Sequence, residues 1–288
     1  MSCRKKKGIA IAAILIACCY LFTVPLRARP TEGGATALHM ERARAILKEG
    51  LESKDYKVRI EAVTAMGMIN RNEALLTQLE GFLNDKNVDV RLAAVHALAD
   101  LHSPDSEAAL RKALGEDQLP EVSFAAAKVL AELHDPAGDA ALKDVYEGKR
   151  KSSSGRIKKE ERSVLDEFHS TPSALMFILG KGIGNIPVPG AGEGFSAITM
   201  LLKDPGVSDR AKVLFILCRS KNAESRELLR GALEDKDWSV RAVGAQMISQ
   251  TAQTELRDEL PPLFEDKNEK VRFRAAGAYL HLFSVAKP

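Results

Sequence analysis

The chain has 288 residues, 45% of them hydrophobic but only 5% aromatic, and a formal net charge of +3. That is enough apolar material for a sizeable core, built chiefly from Ala, Leu and Val. Six basic residues and no acid fall within residues 1–30, so the other 36 basic and 39 acidic residues form a mildly acidic body. Such a body lacks the basic stripe that a nucleic-acid partner requires.

Residues 1–30 read as a leader. Arg4, Lys5, Lys6 and Lys7 precede an apolar run from Ile9 to Val24, closed by Pro25, which is the order of regions in an export signal. Leu15-Ile16-Ala17-Cys18 resembles a bacterial lipobox and makes Cys18 the lipidation candidate. Two alternatives stay open. The 17 residues Gly8–Val24 sit at the lower limit for an uncleaved spanning helix, and cleavage after Ala28 would release a soluble product. The expectation is a bacterial envelope protein, tied to the membrane through its N-terminus, with its body extracytoplasmic (periplasmic). Cys3, Cys18 and Cys19 lie in the leader and leave Cys218 alone in the body, so neither an internal disulfide nor a cysteine metal cluster is expected. The apolar run around Cys218 predicts a buried thiol.

Thr36 to about Leu51 reads as a helix with Leu38, Ala45, Ile46 and Leu47 on one side. It has no preceding partner and is expected to cover the open end of a stack. A phrase then recurs: Asp85-Lys86-Asn87-Val88-Asp89-Val90-Arg91, Asp235-Lys236-Asp237-Trp238-Ser239-Val240-Arg241 and Asp266-Lys267-Asn268-Glu269-Lys270-Val271-Arg272, with a shorter echo from Asp55 to Arg59. The steps 85→117, 204→235 and 235→266 are 32, 31 and 31 residues, a period that marks an array of stacked helix pairs. Each first helix carries a four-residue apolar spacing: Val58, Ala62, Met66; Val90, Ala94, Leu98; Val122, Ala126, Leu130; Val271, Ala275, Tyr279. That spacing is one helical face, and alanine at its centre lets neighbours approach closely. Ser103 and Asp135 read as N-caps ahead of Pro104 and Pro136. Second helices are predicted near 73–83, 105–114, 137–147, 223–233 and 253–264.

The organisation that follows is 31–147 for the N-terminal repeats, 148–172 for a basic loop and inserted helix, 173–203 for a degenerate repeat, and 204–288 for the C-terminal repeats. The degenerate repeat contains a Gly- and Pro-rich loop, Gly180–Gly194. Its Gly190-x-Gly192-x-Gly194 is similar to a phosphate-cradling loop, but no strand precedes it and no Gly-Lys-Ser/Thr ending follows, so a nucleotide site is not expected. The loop reads either as an inter-helix connection or as a docking loop, with Ile183, Ile186, Val188 and Phe195 as partner-contact candidates because exposing them without purpose is costly. His102 and His134 occupy equivalent places, but adjacent helices lie about 8–10 Å apart, too far for a shared zinc. They read as solvated turn residues. Asp166 and His169 have no nucleophile to pair with, and Trp238 is expected to cover a neighbouring unit's core. No catalytic residue, metal or cofactor is expected.

The phrase, the period and the helix pairing resemble the HEAT-repeat family, in particular short bacterial repeats of the phycobilin-lyase type. The resemblance covers about 36–147 and 195–288 and implies an all-α fold, an α-α superhelix (HEAT-like solenoid) of about seven helix-pair repeats. It also implies that the aspartate caps a helix while the arginine pairs with an acid in the adjacent unit. On that basis Asp85, Asp235, Asp266, Arg59, Arg91, Arg210, Arg241 and Arg272 would form a structural ladder. Ser123 in place of arginine, and Asp209 in place of valine, depart from the pattern. No His-Glu dipeptide occurs, so the di-iron chemistry of some HEAT proteins does not carry over. The implied function is a non-enzymatic, membrane-tethered scaffold that binds a protein partner through its concave row of second helices or its central loop. The alternative is a tetrapyrrole (phycobilin) lyase or chaperone, which the export leader opposes because phycobilisome assembly is cytoplasmic. Each unit is expected to touch only its sequence neighbours, with the first and last units apart.

Overall fold

A computed structural model describes residues 32–69, 73–116, 119–153 and 195–285. The leader with Cys18, the inserted helix, and Ile183, Ile186 and Val188 lie outside the described residues; Phe195 opens a helix. Among the described residues the chain is helical throughout. It divides into two compact units, Met1–Leu38 and His39–Pro288, and every contact below lies within the second.

The elements are α1 (Glu32–Leu51), α2 (Tyr56–Met66), α3 (Glu73–Phe82), α4 (Val88–Asp100), α5 (Pro104–Glu116), α6 (Pro120–Glu132) and α7 (Pro136–Tyr146). After the central segment come α8 (Phe195–Lys203), α9 (Asp209–Leu217), α10 (Ala223–Leu233), α11 (Trp238–Gln250), two 3-10 turns (Thr254–Glu259 and Pro261–Glu265) and α12 (Glu269–Val285). The helix predicted over 253–264 is therefore these two turns instead. Pro261 and Pro262 lack the N–H groups an α-helix interior needs, and the tighter turns accommodate them.

First helices and second helices differ in how they bury. In α11, Ser239, Val240 and every residue from Ala242 to Ser249 are buried, whereas α3 buries only Leu75 and Leu79. A helix buried all round belongs to the middle of a layered structure, and a one-sided one to its outside. The alanines at the centre of each predicted face, Ala62, Ala94, Ala126 and Ala275, are each 0% exposed. With no side chain beyond Cβ, they let the flanking Leu98 and Leu130 pack fully, each worth ~1.5–3 kcal/mol of transfer free energy.

Local signals fix the ends. Asp55, Asn87, Asp135, Ser208 and Asp237 each cap a helix through a side-chain oxygen. Ser103 and Ser106 bond reciprocally at the start of α5. Three first helices end on a left-handed residue, His102 (φ 42°), His134 (φ 61°) and Ala252 (φ 47°). After two of these the chain closes back, Asp135 N to Leu130 O at 2.8 Å and Gln253 N to Ile248 O at 3.0 Å. Both histidines are exposed.

The order of stacking differs from the order of the chain. The first helices lie side by side as α9, α11, α12, α2, α4, α6, and α8 lies against α2, α4 and α11. The C-terminal helix α12 thus packs on the first repeat, with Lys270 and Arg274 at Glu61, Gly277 at Ala65 and His281 at Met68. Two expectations are corrected here. From His39 onward α1 does not cover an open end: Gly50 lies between Phe273 of α12 and Ala62 of α2, where a Cβ would come within 2.4 and 2.7 Å. Nor do units touch only their sequence neighbours, because α1 serves as the second helix beside α12. The reason is chemical equivalence: the small apolar face of α12 matches the face that any preceding unit would offer to α2.

Candidate functional site

The recurring phrase forms a chain of ion pairs. Arg59 binds Asp85 through Nε (2.9 Å) and Nη2 (2.8 Å), Arg210 binds Asp235 at 3.1 and 2.6 Å, and Arg241 binds Asp266 at 2.7 and 2.9 Å. Each is the two-pronged geometry that suits a guanidinium to a carboxylate. Arginines of the phrase look backward as well, and Arg241 does both. Arg91, Arg241 and Arg272 donate to the main-chain carbonyls of Asp85, Asp235 and Asp266 at 2.6–2.7 Å. Each aspartate also accepts the N–H two residues on, from Asn87, Asp237 and Asn268. The helix caps fall to those three following residues, not to the aspartates. Arg272 has no carboxylate partner among the described residues.

These contacts set the charges. The hydrogen bonds from Arg210 and from the Asp237 N–H hold Asp235 below the usual carboxylate range. Burial pushes Asp85 and Asp266 up, but their arginines and N–H donors outweigh it and leave both below that range.

The mid-chain departure is compensated in three dimensions. Ser123 stands where the phrase has arginine, and Arg150 from the basic stretch after α7 reaches it. Its Nη1 donates to Ser123 Oγ at 2.8 Å and to the Leu114 carbonyl at 3.0 Å. Ser153 adds a bond to Glu121, itself 2% exposed. A guanidinium is thus delivered to the first helix of this unit from 27 residues away.

The row of second helices carries a further set of pairs that the repeated phrase does not contain. Arg111 binds Asp135 (Nε–Oδ2 2.6 Å), Arg226 binds Glu255 (3.0 Å) and Arg230 binds Glu259 (2.9 Å). The last two spacings are both 29 residues, a little short of the repeat step, so a search for opposite charges near one period apart would have found them. Between α3 and α5 in this row runs a groove of about 640 Å³. Leu76, Leu101, Ala108 and Ala109 give it apolar lining, and Glu73, Glu80 and Asp105 line it with charge, joined by Lys112.

Other candidate chemistry is sparse. Cys218 is a free buried thiol, and burial pushes its pKa up to about 11. Lys270 lies 5.7 Å over the Trp238 ring. Among the described residues there is no group of His, Cys, Asp and Glu able to hold a metal, and no helix is long and apolar enough to cross a membrane.

The family model for HEAT repeats matches residues 76–153 and 196–280, more than half of the chain. The chain belongs to the HEAT-repeat family. Both matched stretches are HEAT units in the structure, and the break between them spans the central segment. The chain finds no match among curated proteins.

Proposed function

We propose that this HEAT protein is a non-enzymatic interaction scaffold that receives a protein partner on its row of second helices. The observation that carries the reading is the asymmetry between rows. First helices inside the array, such as α4 and α11, are buried on nearly all sides, while second helices such as α3 bury one stripe and leave a groove between α3 and α5 with apolar lining and a charged rim. A groove between parallel helices suits an amphipathic helical segment, whose apolar residues seat between the helices while its polar residues meet the rim. The leader supports a tethered, extracytoplasmic placement in a bacterial envelope, through Cys18 or an uncleaved anchor.

The test is affinity capture from membranes with mass spectrometry, comparing wild type with Glu80→Lys/Ala108→Arg. The scaffold reading expects a partner that the double variant loses while its helical signal and melting temperature are unchanged. A partner retained in full by that variant would move the contact elsewhere. The mass of the mature N-terminus distinguishes a diacylglyceryl group on Cys18 from an intact Met1. Induction of a bilin absorption band on mixing with free bilin would favour the tetrapyrrole alternative.

A further inference from the structure

The interface between α12 and α2 copies the packing of consecutive units but lacks their ion pair. Ser53 is the first repeat's counterpart of Asp85. Its Oγ accepts the Asp55 N–H at 3.2 Å as Asp85 accepts that of Asn87 at 2.8 Å, and its carbonyl accepts Arg59 Nη1 at 2.9 Å as that of Asp85 accepts Arg91 at 2.7 Å. Arg272 is the arginine that faces this place across the interface, and both side chains line one cleft. A serine hydroxyl offers it no charge. Among the described residues Arg272 donates only to the carbonyls of Asp266 and Lys267.

What joins α12 to α2 instead is weaker in kind. Beside the interface, Arg42 of α1 and Glu265 of the second 3-10 turn form an exposed pair, with side chains 45% and 70% accessible, and such pairs contribute little. Behind it, Lys270 is shared between Glu61 and Asp204, and Arg274 reaches Glu61 at 3.1 Å. Arg274 is 1% exposed, yet its Nε and Nη1 have no acceptor among the described residues. These are single contacts without the two-pronged fit of Arg59–Asp85 and Arg241–Asp266, and unpaired buried donors subtract from what they give. The helix α8 spans the interface. It lies against α2 and α4 on one side and α11 on the other, Met200 meets the Thr64 hydroxyl, and Asp204 at its end holds Lys270 of α12.

We propose that the α12–α2 interface is the joint at which the array opens, with α8 as the strap that keeps it shut. In a nearest-neighbour array, partial opening starts at the interface with the smallest coupling. Two other interfaces carry a bidentate and largely buried Arg–Asp pair, Arg59–Asp85 and Arg241–Asp266, and this one carries a serine. Opening here leaves each run of sequence-consecutive units whole and frees the faces of α12 and α2 that the joint covers.

Hydrogen–deuterium exchange on the full chain at neutral pH tests the joint. The wild type is expected to exchange α1 and α12 together, and faster than α4 and α11. Ser53→Asp supplies the absent carboxylate and should slow α1 and α12 by about tenfold, equivalent to ~1.4 kcal/mol, with α4 and α11 unchanged. Asp204→Asn, which loosens the strap, should speed α12 selectively. The proposal is overturned if wild-type α12 exchanges no faster than α11, or if Asp204→Asn shifts α12 and α4 equally. Those two outcomes decide the matter even should Ser53→Asp fold poorly.

Discussion

Arg241 ties two units together with one side chain. Its Nε and Nη2 hold the Asp266 carboxylate of the next unit at 2.7 and 2.9 Å, and its Nη1 holds the Asp235 carbonyl of its own at 2.6 Å. The main-chain bond fixes the guanidinium plane, so the forward pair forms at a small further entropy cost. We read these pairs as a ladder that sets the register between units while the alanine faces supply the attraction.

The ladder's rungs should differ in strength with burial. Arg59 and Asp85 side chains are 5% and 11% exposed, whereas Arg210 is 61% exposed. Removing one partner of a buried pair leaves an uncompensated charge, so Arg59→Ala should cost ~3 kcal/mol in urea denaturation. Arg210→Ala should be close to neutral, because solvent screens that pair. Equal costs for the two would contradict the ladder as a burial-dependent device.

Acid should weaken the fold in two stages. Hydrogen bonds from Arg111 and Arg210 hold Asp135 and Asp235 below the ordinary carboxylate range, and Asp85, Asp204 and Asp266 end below it despite burial. A folded pKa below the unfolded one means stability that is complete above about pH 4 and disappears as pH falls through the folded values. Burial also lowers the pKa of His281, so this imidazole is kept neutral. Its contribution is complete above its unfolded value of about 6.5 and declines below it. The urea midpoint should be flat from neutral to about pH 8, slope gently below about pH 6.5 and fall steeply below about pH 4.

Ala252 follows α11 at φ 47°, a conformation that costs a residue with a Cβ ~1 kcal/mol relative to glycine. Ala252→Gly should therefore raise stability by roughly that amount, read as a higher urea midpoint with unchanged slope. A lower midpoint would show that the Cβ contributes packing that outweighs the strain.

Cys218 should be inert in the native state. It is buried and its pKa is pushed up to about 11, so thiolate is scarce at pH 8. A disulfide reagent should label it only on addition of denaturant, at the rate of unfolding. Rapid labelling of the folded chain would place the thiol at the surface.

How the fold could be read from the sequence depended on which kind of signal each feature leaves. The Val-Ala-Leu spacing and the Asp…Arg phrase are local, and they mark the first helices at 88–100, 120–132 and 238–250. The caps, however, fall to Asn87 and Asp237, two residues after the aspartates the phrase points to, and 120–132 has no side-chain cap. Pro261-Pro262 is equally visible, and it turns the predicted last second helix into two 3-10 turns. Stacking order left no local trace. The alanine faces are interchangeable, so nothing in Val271-Ala275-Tyr279 says that it will meet Glu61 and Ala65 rather than remain terminal. The substitution of Ser53 at the aspartate position is the one hint that the first unit faces something other than a standard predecessor. Arg150 was also hidden, because a guanidinium supplied to Ser123 from a loop belongs to no repeat position.

The most direct test of the stacking order is an intramolecular cross-link between positions 42 and 265, whose side chains meet at 2.7 Å across 223 residues of sequence. With Arg42→Cys and Glu265→Cys and a short bismaleimide, peptide mapping of the monomer should recover the bridged pair in high yield. A monomer carrying only single adducts at these sites would contradict the packing of the last repeat against the first.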